Sequence, residues 1–298
     1  KLININNKIK SKIFLDYDVG KLSWFRTGGK SKVFIIVENE EELEMLINYV
    51  ADFNYIIIGA ASNLLIRDNG FDGIIIKLGK GFNNIKINED FLCVGASILD
   101  INLSKFSKNN LIKNFEFYSG IPGTIGGAIK MNAGCYGSQT SDVLKEINFI
   151  ENFNIKKKIK KIELDMNYRS SNILDSTVIT SAKFNLKYGN IKEINEKIKF
   201  IKYERLKTQP IKEKTSGSTF KNPINQFAAK LIQNSDCKKL NVGDVLVIDT
   251  GTTYDGYFCD FDRNFGFGKI SDDAIKTHDI LWEALETGMQ NAKPGNTF

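Results

Sequence analysis

The sequence predicts an α+β chain built from several small units, and three stretches carry that expectation. Residues 33–58 read as strand, helix and strand; short strands surround a glycine-rich block between 85 and 187; residues 191–207 carry a helical apolar stripe.

The first stretch opens with "VFIIV", a continuous apolar run of the kind a buried strand needs. Asn39 then stands where a helix cap is required, with Glu42 at the capping-box position, and Leu43, Leu46, Ile47 and Val50 follow the helical period. "YIII" resumes a strand at 55–58. So short a strand–helix–strand run implies a right-handed parallel crossover. "GAASNLLIRDNGFDGIIIKL", 59–78, follows the carboxyl end of that strand, where open sheets of this kind place ligand loops. From 85 to 187, "FLCVG" and "VITSAKFNL" read as strands and 98–109 as one modest helix, making a second unit around the block at 119–137. Ile191, Ile194, Ile198 and Ile201 lie along one helical face and open a third unit. The expected segments are 1–84, 85–188, 189–240 and 241–298.

Composition narrows the function classes. A chain of 298 residues with 42% apolar and 26% charged content describes a soluble globular protein, and no apolar run is long enough to cross a bilayer. The first residues, "KLININNKIKSKIF", lack the apolar block of a secretory signal, so a cytoplasmic location with no membrane partner is expected. Cysteines 93, 135, 237 and 259 show no C-x-x-C spacing, which favours reduced thiols. The single histidine, His278, argues against histidine-based triads and His-rich zinc sites. A net charge of +6 fits either a Lys-rich compositional bias or a preference for anionic ligands. The lysines are dispersed, and "KKKIKK" at 156–161 reads as a solvated strand or turn, so phosphorylated small molecules suit the charge better than nucleic acid. The oligomeric state is left open.

"SGIPGTIGGAIKMNAGCYG", 119–137, is the strongest candidate for binding. Gly123, Gly126 and Gly127 permit backbone angles closed to other residues and let a ligand approach main-chain amides. A tight turn would account for such a block alone. With "GAASNLLI" it forms a pair of loops, whose free amides and small polar side chains (Ser62, Asn63, Thr124) could clasp an extended dinucleotide from both ends. Arg169 in "NYRSS" offers a planar fork for a carboxylate or phosphate, where a surface ion pair is the plainer reading. Ser218 in "TSGSTFKNP" is either a turn cap or a proton donor, since no histidine lies near enough in sequence to activate it.

"SNLLIRDNGFDG", "IPGTIGGAIKMNAGCYG", "YRSS", "SGSTFKNP" and "FAAKLI", in this order and spacing, resemble the UDP-N-acetylenolpyruvoylglucosamine reductase family over roughly 20–240. "LSWFRTGG" resembles that family's entry into its first unit. The resemblance implies a two-subdomain FAD-binding fold of the PCMH type, followed by an α+β substrate-binding domain that is incomplete here. It also implies an oxidoreductase of peptidoglycan synthesis that uses FAD, with NADPH as reductant and a UDP-sugar as substrate. Carried over by position, Gly59, Ser62, Asn63, Gly123, Thr124, Gly126 and Gly127 fall where FAD is contacted. Arg169 would stabilise charge developing on the substrate, Ser218 would protonate it, and Lys221 and Asn222 would hold it. One departure is Ala61, where the family more often has glycine; a methyl is tolerable there if the flavin phosphate does not approach it.

The carboxyl end departs further. "GDVLVIDTGTTYDGYFCDFDRNFG" and "AKPGNTF" resemble the creatinase and aminopeptidase P metallopeptidases, so that 243–298 reads as a β-rich and helical tail of foreign type. That resemblance makes Asp249 and Asp260 two ligands of a two-metal centre, with Arg263 and "KPG" matching the same group. The later histidine and carboxylates of such a centre are not found, and His278 is expected on the surface of an amphipathic helix with Ile275, Ile280, Leu281 and Leu285. Hence no metal site is expected. A composite chain follows, with reductase turnover impaired by loss of the family's C-terminal glutamate.

Overall fold

The first sheet takes the order β1–β2–β4–β3, from strands Lys12–Asp18, Lys30–Val37, Phe71–Leu78 and Tyr55–Ile58 (β1, β2, β4 and β3). In this computed structural model, which describes residues 9–151, 155–209, 220–234, 245–254, 257–266 and 269–291, β2, β3 and β4 run parallel and β1 pairs antiparallel to β2. The expected strand–helix–strand run with parallel strands is present. Helix Glu40–Val50 (α1) connects β2 to β3, but β4 lies between those strands and pairs with both. Phe34↔Ile75↔Ile56 is one rung across the three strands.

The cause of α1 is visible in its side chains. Asn39 Oδ1 accepts from Glu42 N at 2.8 Å, and Leu43, Leu46, Ile47 and Val50 are fully buried. The Glu42 carboxylate also reaches beyond the helix. It accepts from the amides of Lys10 and Ser11, both at 2.8 Å, and so ties the chain entering β1 to the helix.

The second sheet is antiparallel, in the order β10–β9–β13–β6–β5. Its strands are Ile155–Lys160 (β10), Leu144–Glu151 (β9), Val178–Asn185 (β13), Phe91–Gly95 (β6) and Ile85–Ile87 (β5). The lysine-rich run thus becomes an edge strand, where exposed charge discourages pairing with another chain. Helices Asp100–Asn109 (α2) and Ile125–Lys130 (α3), the 3-10 turn Glu116–Gly120 and the short helix Thr140–Val143 (α4) cover this sheet. Between them lie two-strand ribbons, Gly134–Cys135 with Ser138–Gln139 (β7, β8) and Met166–Asn167 with Ser170–Ser171 (β11, β12). The core here runs through Leu92, Leu103, Phe115, Tyr118, Ile129 and Phe184. Ile150 and Val178 of the second sheet pack with Leu43, Leu46 and Ile76, so the two sheets share buried contacts.

Helix Ile191–Thr208 (α5) buries Ile194, Ile198 and Ile201, with Ile191 exposed at its first position. It packs against the 3-10 turn, within the compact unit Lys1–Lys221. The second compact unit is Asn222–Phe298. It contains helix Ala228–Asn234 (α6), a hairpin of Val245–Tyr254 and Tyr257–Gly266 (β14, β15), and helix Asp272–Asn291 (α7). Register sets Asp249 opposite Asp262 and Asp260 opposite Gly251. On α7, His278 is half exposed beside Trp282, and Ile275, Ile280, Leu281 and Leu285 also face out. Cys93 and Cys135 are free thiols; Cys237 and Cys259 lie outside what is described at side-chain level. Among the described residues no helix is long and apolar enough to cross a membrane.

Candidate functional site

Three adjacent turns make a cleft inside the first unit. The end of β3 delivers Ile58, Gly59 and Ala60; the β6–α2 turn delivers Ala96, Ser97 and Leu99; the start of α3 delivers Thr124, Gly126 and Gly127. The volume enclosed is about 360 Å³, with Lys77 and Lys130 as the cations on its wall. Four of the seven residues expected at a cofactor, Gly59, Thr124, Gly126 and Gly127, are thus brought together. Gly123 stands one residue before Thr124, while half-buried Ser62 and exposed Asn63 follow in the loop after Ala61 and do not line the cleft.

Close approach explains the glycines. A β-carbon on Gly59 would lie 2.3 Å from Thr124 Oγ1, and one on Gly126 would meet the Ala96 side chain at 3.2 Å. The loops therefore touch only because those side chains are missing. The block at 119–137 is stitched down by its own backbone: Ile125 N donates to Ile98 O and Gly126 N to Ala96 O, each at 2.9 Å, and Leu99 bridges Thr124. This corrects the expectation of free amides there. The amides of 125 and 126 are spent closing the loop onto the β6–α2 turn, which leaves shape and side chains, with the remaining amides, to meet a ligand.

Ala61 occupies the left-handed region at φ 53° and is almost fully buried among Val19, Phe34, Ile58 and Ile75. Its methyl points into the core, so it offers no obstacle to a ligand in the cleft.

Lys77 is half-buried, its pKa lowered by desolvation, and among the described residues no carboxylate pairs with it. Lys130 is held at the rim, its Nζ 2.9 Å from Asp175 Oδ1 and bonded also to the Ile173 carbonyl.

The hairpin that carries Arg169 is strapped to the end of α3. Ser171 Oγ donates to Lys130 O at 2.6 Å, and Asn132 Nδ2 donates to Asn167 O at 3.1 Å. Asn132 also receives Ser141 N at 3.0 Å, so one nearly buried amide joins three segments. Arg169 is at the tip of the hairpin with φ 56°, half-buried, its guanidinium 6.0 Å from the Tyr168 ring centre. A non-glycine residue held in that region marks a constrained turn. Burial pushes the neighbouring Cys135 thiol up to about 11, against the opposing pull of Arg205 and Arg169.

Sequence reasoning missed Lys77, Lys130, Asn132 and Asp100. Only Lys77 left a signal, a lone cation ending the apolar run "GIIIK". Ser218 lies outside the described residues. Lys221 and Asn222 are exposed on either side of the boundary between the two units, and Asn222 Oδ1 accepts from Ala228 N at 3.1 Å.

Residues 31–152 match the FAD binding domain family, and residues 167–298 match metallopeptidase family M24. A UDP-N-acetylenolpyruvoylglucosamine reductase of Pelagibacter ubique is 39% identical over 276 residues, covering 89% of this chain and 91% of that protein. The Rickettsia conorii enzyme of the same name is 36% identical over 265 residues, covering 89% of this chain and 88% of its own. The structure of UDP-N-acetylenolpyruvylglucosamine reductase from Thermus caldophilus superposes with a TM-score of 0.69 at 28% identity, over 80% of this chain and 84% of that one. An alignment covering 89% of the chain runs beyond β14 wherever it begins. Similarity to these reductases therefore continues past residue 240 and overlaps the M24 match.

Proposed function

This chain belongs to the UDP-N-acetylenolpyruvoylglucosamine reductase family, and from that premise we propose that its cleft holds FAD and that its substrate is the enolpyruvyl ether of UDP-N-acetylglucosamine. The observation that carries the reading is the meeting of Gly59 with Thr124, two loops in contact around a cleft whose Lys77 has no carboxylate partner among the described residues. The activity is that of UDP-N-acetylmuramate dehydrogenase, a flavoprotein oxidoreductase of peptidoglycan synthesis. When bound, FAD would supply the hydride chemistry, with NADPH as the reductant and the enol ether as the acceptor.

The chain's own residues supply position and charge. Gly59, Gly126 and Gly127 give the cofactor access, and Thr124, Ser62 and Asn63 offer polar groups at the two loops, with the Gly123 turn shaping one of them. Lys77 balances the anionic diphosphate. Arg169 stabilises the negative charge that builds on the substrate C2 and its carboxylate, a role a planar guanidinium suits. Ser218 donates the proton to C2, and Lys221 and Asn222 hold the substrate beside it. The division into 1–84 and 85–188 as cofactor subdomains, 189–240 as part of the substrate domain and 241–298 as a tail belongs to the same proposal, as does a cytoplasmic site of action.

The M24 match supports a second reading for the tail, in which Asp249 and Asp260 are two ligands of a metal pair. A purified protein that is yellow and consumes NADPH only when the enolpyruvyl substrate is added supports the reductase. A colourless protein that keeps two equivalents of Mn or Co supports the peptidase instead. Substituting Arg169→Ala should lower turnover about a hundredfold or more while leaving flavin content unchanged. Unchanged turnover would remove Arg169 from the chemistry.

A further inference from the structure

Asp100, the first residue of α2, is fully buried, and neither of its carboxylate oxygens has a hydrogen-bond partner among the described residues. Its backbone amide donates to Gly123 O at 3.1 Å, and Oδ2 lies 2.6 Å from where a β-carbon on Gly123 would stand. The carboxyl group therefore rests against the back of the loop whose next residue, Thr124, lines the cleft. Any side chain at 123 would collide with it.

The surroundings decide its charge. Tyr118 faces it from the 3-10 turn, with its hydroxyl donated to Thr140 Oγ1 at 3.2 Å, and Cys135 faces it from β7. Ser104, one turn further along α2, is buried too. No cation among the described residues acts on Asp100, and burial drives its pKa well above the ordinary carboxylate range, opposed only by the Gly123 amide, which approaches the carboxylate without completing a hydrogen bond. The N-terminus of α2 favours an anion. Two buried oxygens that complete no hydrogen bond cost more than that, which favours the neutral acid.

We propose that Asp100 is a positioning residue for the cofactor, a buried carboxyl group that braces the Gly123–Thr124 loop from behind and keeps that loop shaped for the dinucleotide. The proposal rests on the reading of the cleft as an FAD site. Ionisation would place an uncompensated negative charge behind a loop that receives a diphosphate, so FAD affinity should fall as pH rises.

The test is FAD binding to the full chain, followed by quenching of flavin fluorescence from mildly acidic to mildly alkaline pH, for wild type, Asp100→Asn and Asp100→Ala, with circular dichroism as the check on folding. Wild type should bind FAD and weaken towards alkaline pH. Asp100→Asn, neutral and of the same shape, should bind within about threefold of acidic wild type and show a flat profile, while Asp100→Ala weakens binding about tenfold or more. Should Asp100→Ala fail to fold, the Asn profile decides alone. Equal binding by a folded Asp100→Ala, or an Asn variant with the wild-type alkaline slope, overturns the proposal and leaves the FAD reading intact. A wild type that binds no FAD overturns both.

Discussion

The Thr124 hydroxyl stands 2.3 Å from the position a β-carbon would take on Gly59, so the loop after β3 and the loop before α3 are fitted to each other through one missing side chain. Thr124 is almost fully buried and has little room to turn away. Gly59→Ala should therefore cost about 1–3 kcal/mol of stability and weaken FAD binding. Removing the obstacle should restore stability, since the next Thr124 atom lies at 3.4 Å, while flavin binding recovers only in part because the Thr124 hydroxyl is lost with it. A double-mutant cycle with Thr124→Ala, read by thermal unfolding and flavin titration, should return a coupling of about 1–2 kcal/mol.

Ala61 is the second site where a glycine question has a structural answer. Its left-handed backbone costs about 1–2 kcal/mol, which glycine would relieve, but glycine would also lose a buried methyl and add freedom to the unfolded chain. The terms nearly cancel. Ala61→Gly should change unfolding free energy by less than about 1 kcal/mol, whereas Ala61→Val should destabilise by more than about 2 kcal/mol, because a branched residue suffers in that region and overfills the core. Denaturant titration separates the two.

Lys77 should matter to the ligand more than to the fold. Desolvation already depresses its pKa, so the charge is held at a cost that an anion in the cleft would offset. Lys77→Met should weaken FAD binding about fivefold and reduce its sensitivity to salt, with melting temperature held or raised. Isothermal titration at two ionic strengths is the check.

Asp100 carries a stability signature separate from its effect on the cofactor. Its native pKa is raised, so above the ordinary carboxylate range the native state keeps a proton that the unfolded chain releases. Wild-type stability from this group is complete at low pH and is lost as pH rises to the native value, with a slope of at most about 1.4 kcal/mol per pH unit. Asp100→Asn lacks that slope. Its stability relative to wild type should improve steadily with pH, measured by urea unfolding.

Local elements were legible where one face of the chain meets the core. The spacing of Leu43, Leu46, Ile47 and Val50 announces α1, and all four are fully buried behind the Asn39 cap. The glycines at 126 and 127 announce a close approach, and with Gly59, which the family resemblance supplies, they line one cleft. What sequence hides is the partner brought from afar. The insertion of β4 between β2 and β3, and the Glu42 carboxylate reaching the start of β1, depend on pairings that no local pattern encodes. Asp100 was hidden for the same reason: an aspartate at a helix start usually faces water, and only the packing of the Gly123 loop encloses it. Ser218 lies outside the described residues, so its place beside Arg169 stays with the proposal.

The most direct measurement takes the flavin-loaded protein, reduces it without oxygen, and mixes it with the enolpyruvyl ether of UDP-N-acetylglucosamine in deuterated water. The flavin absorbance should return to its oxidised form in one turnover, and the product should carry solvent deuterium at C2. Flavin that stays reduced, or a nucleotide recovered unchanged, would contradict the proposed function.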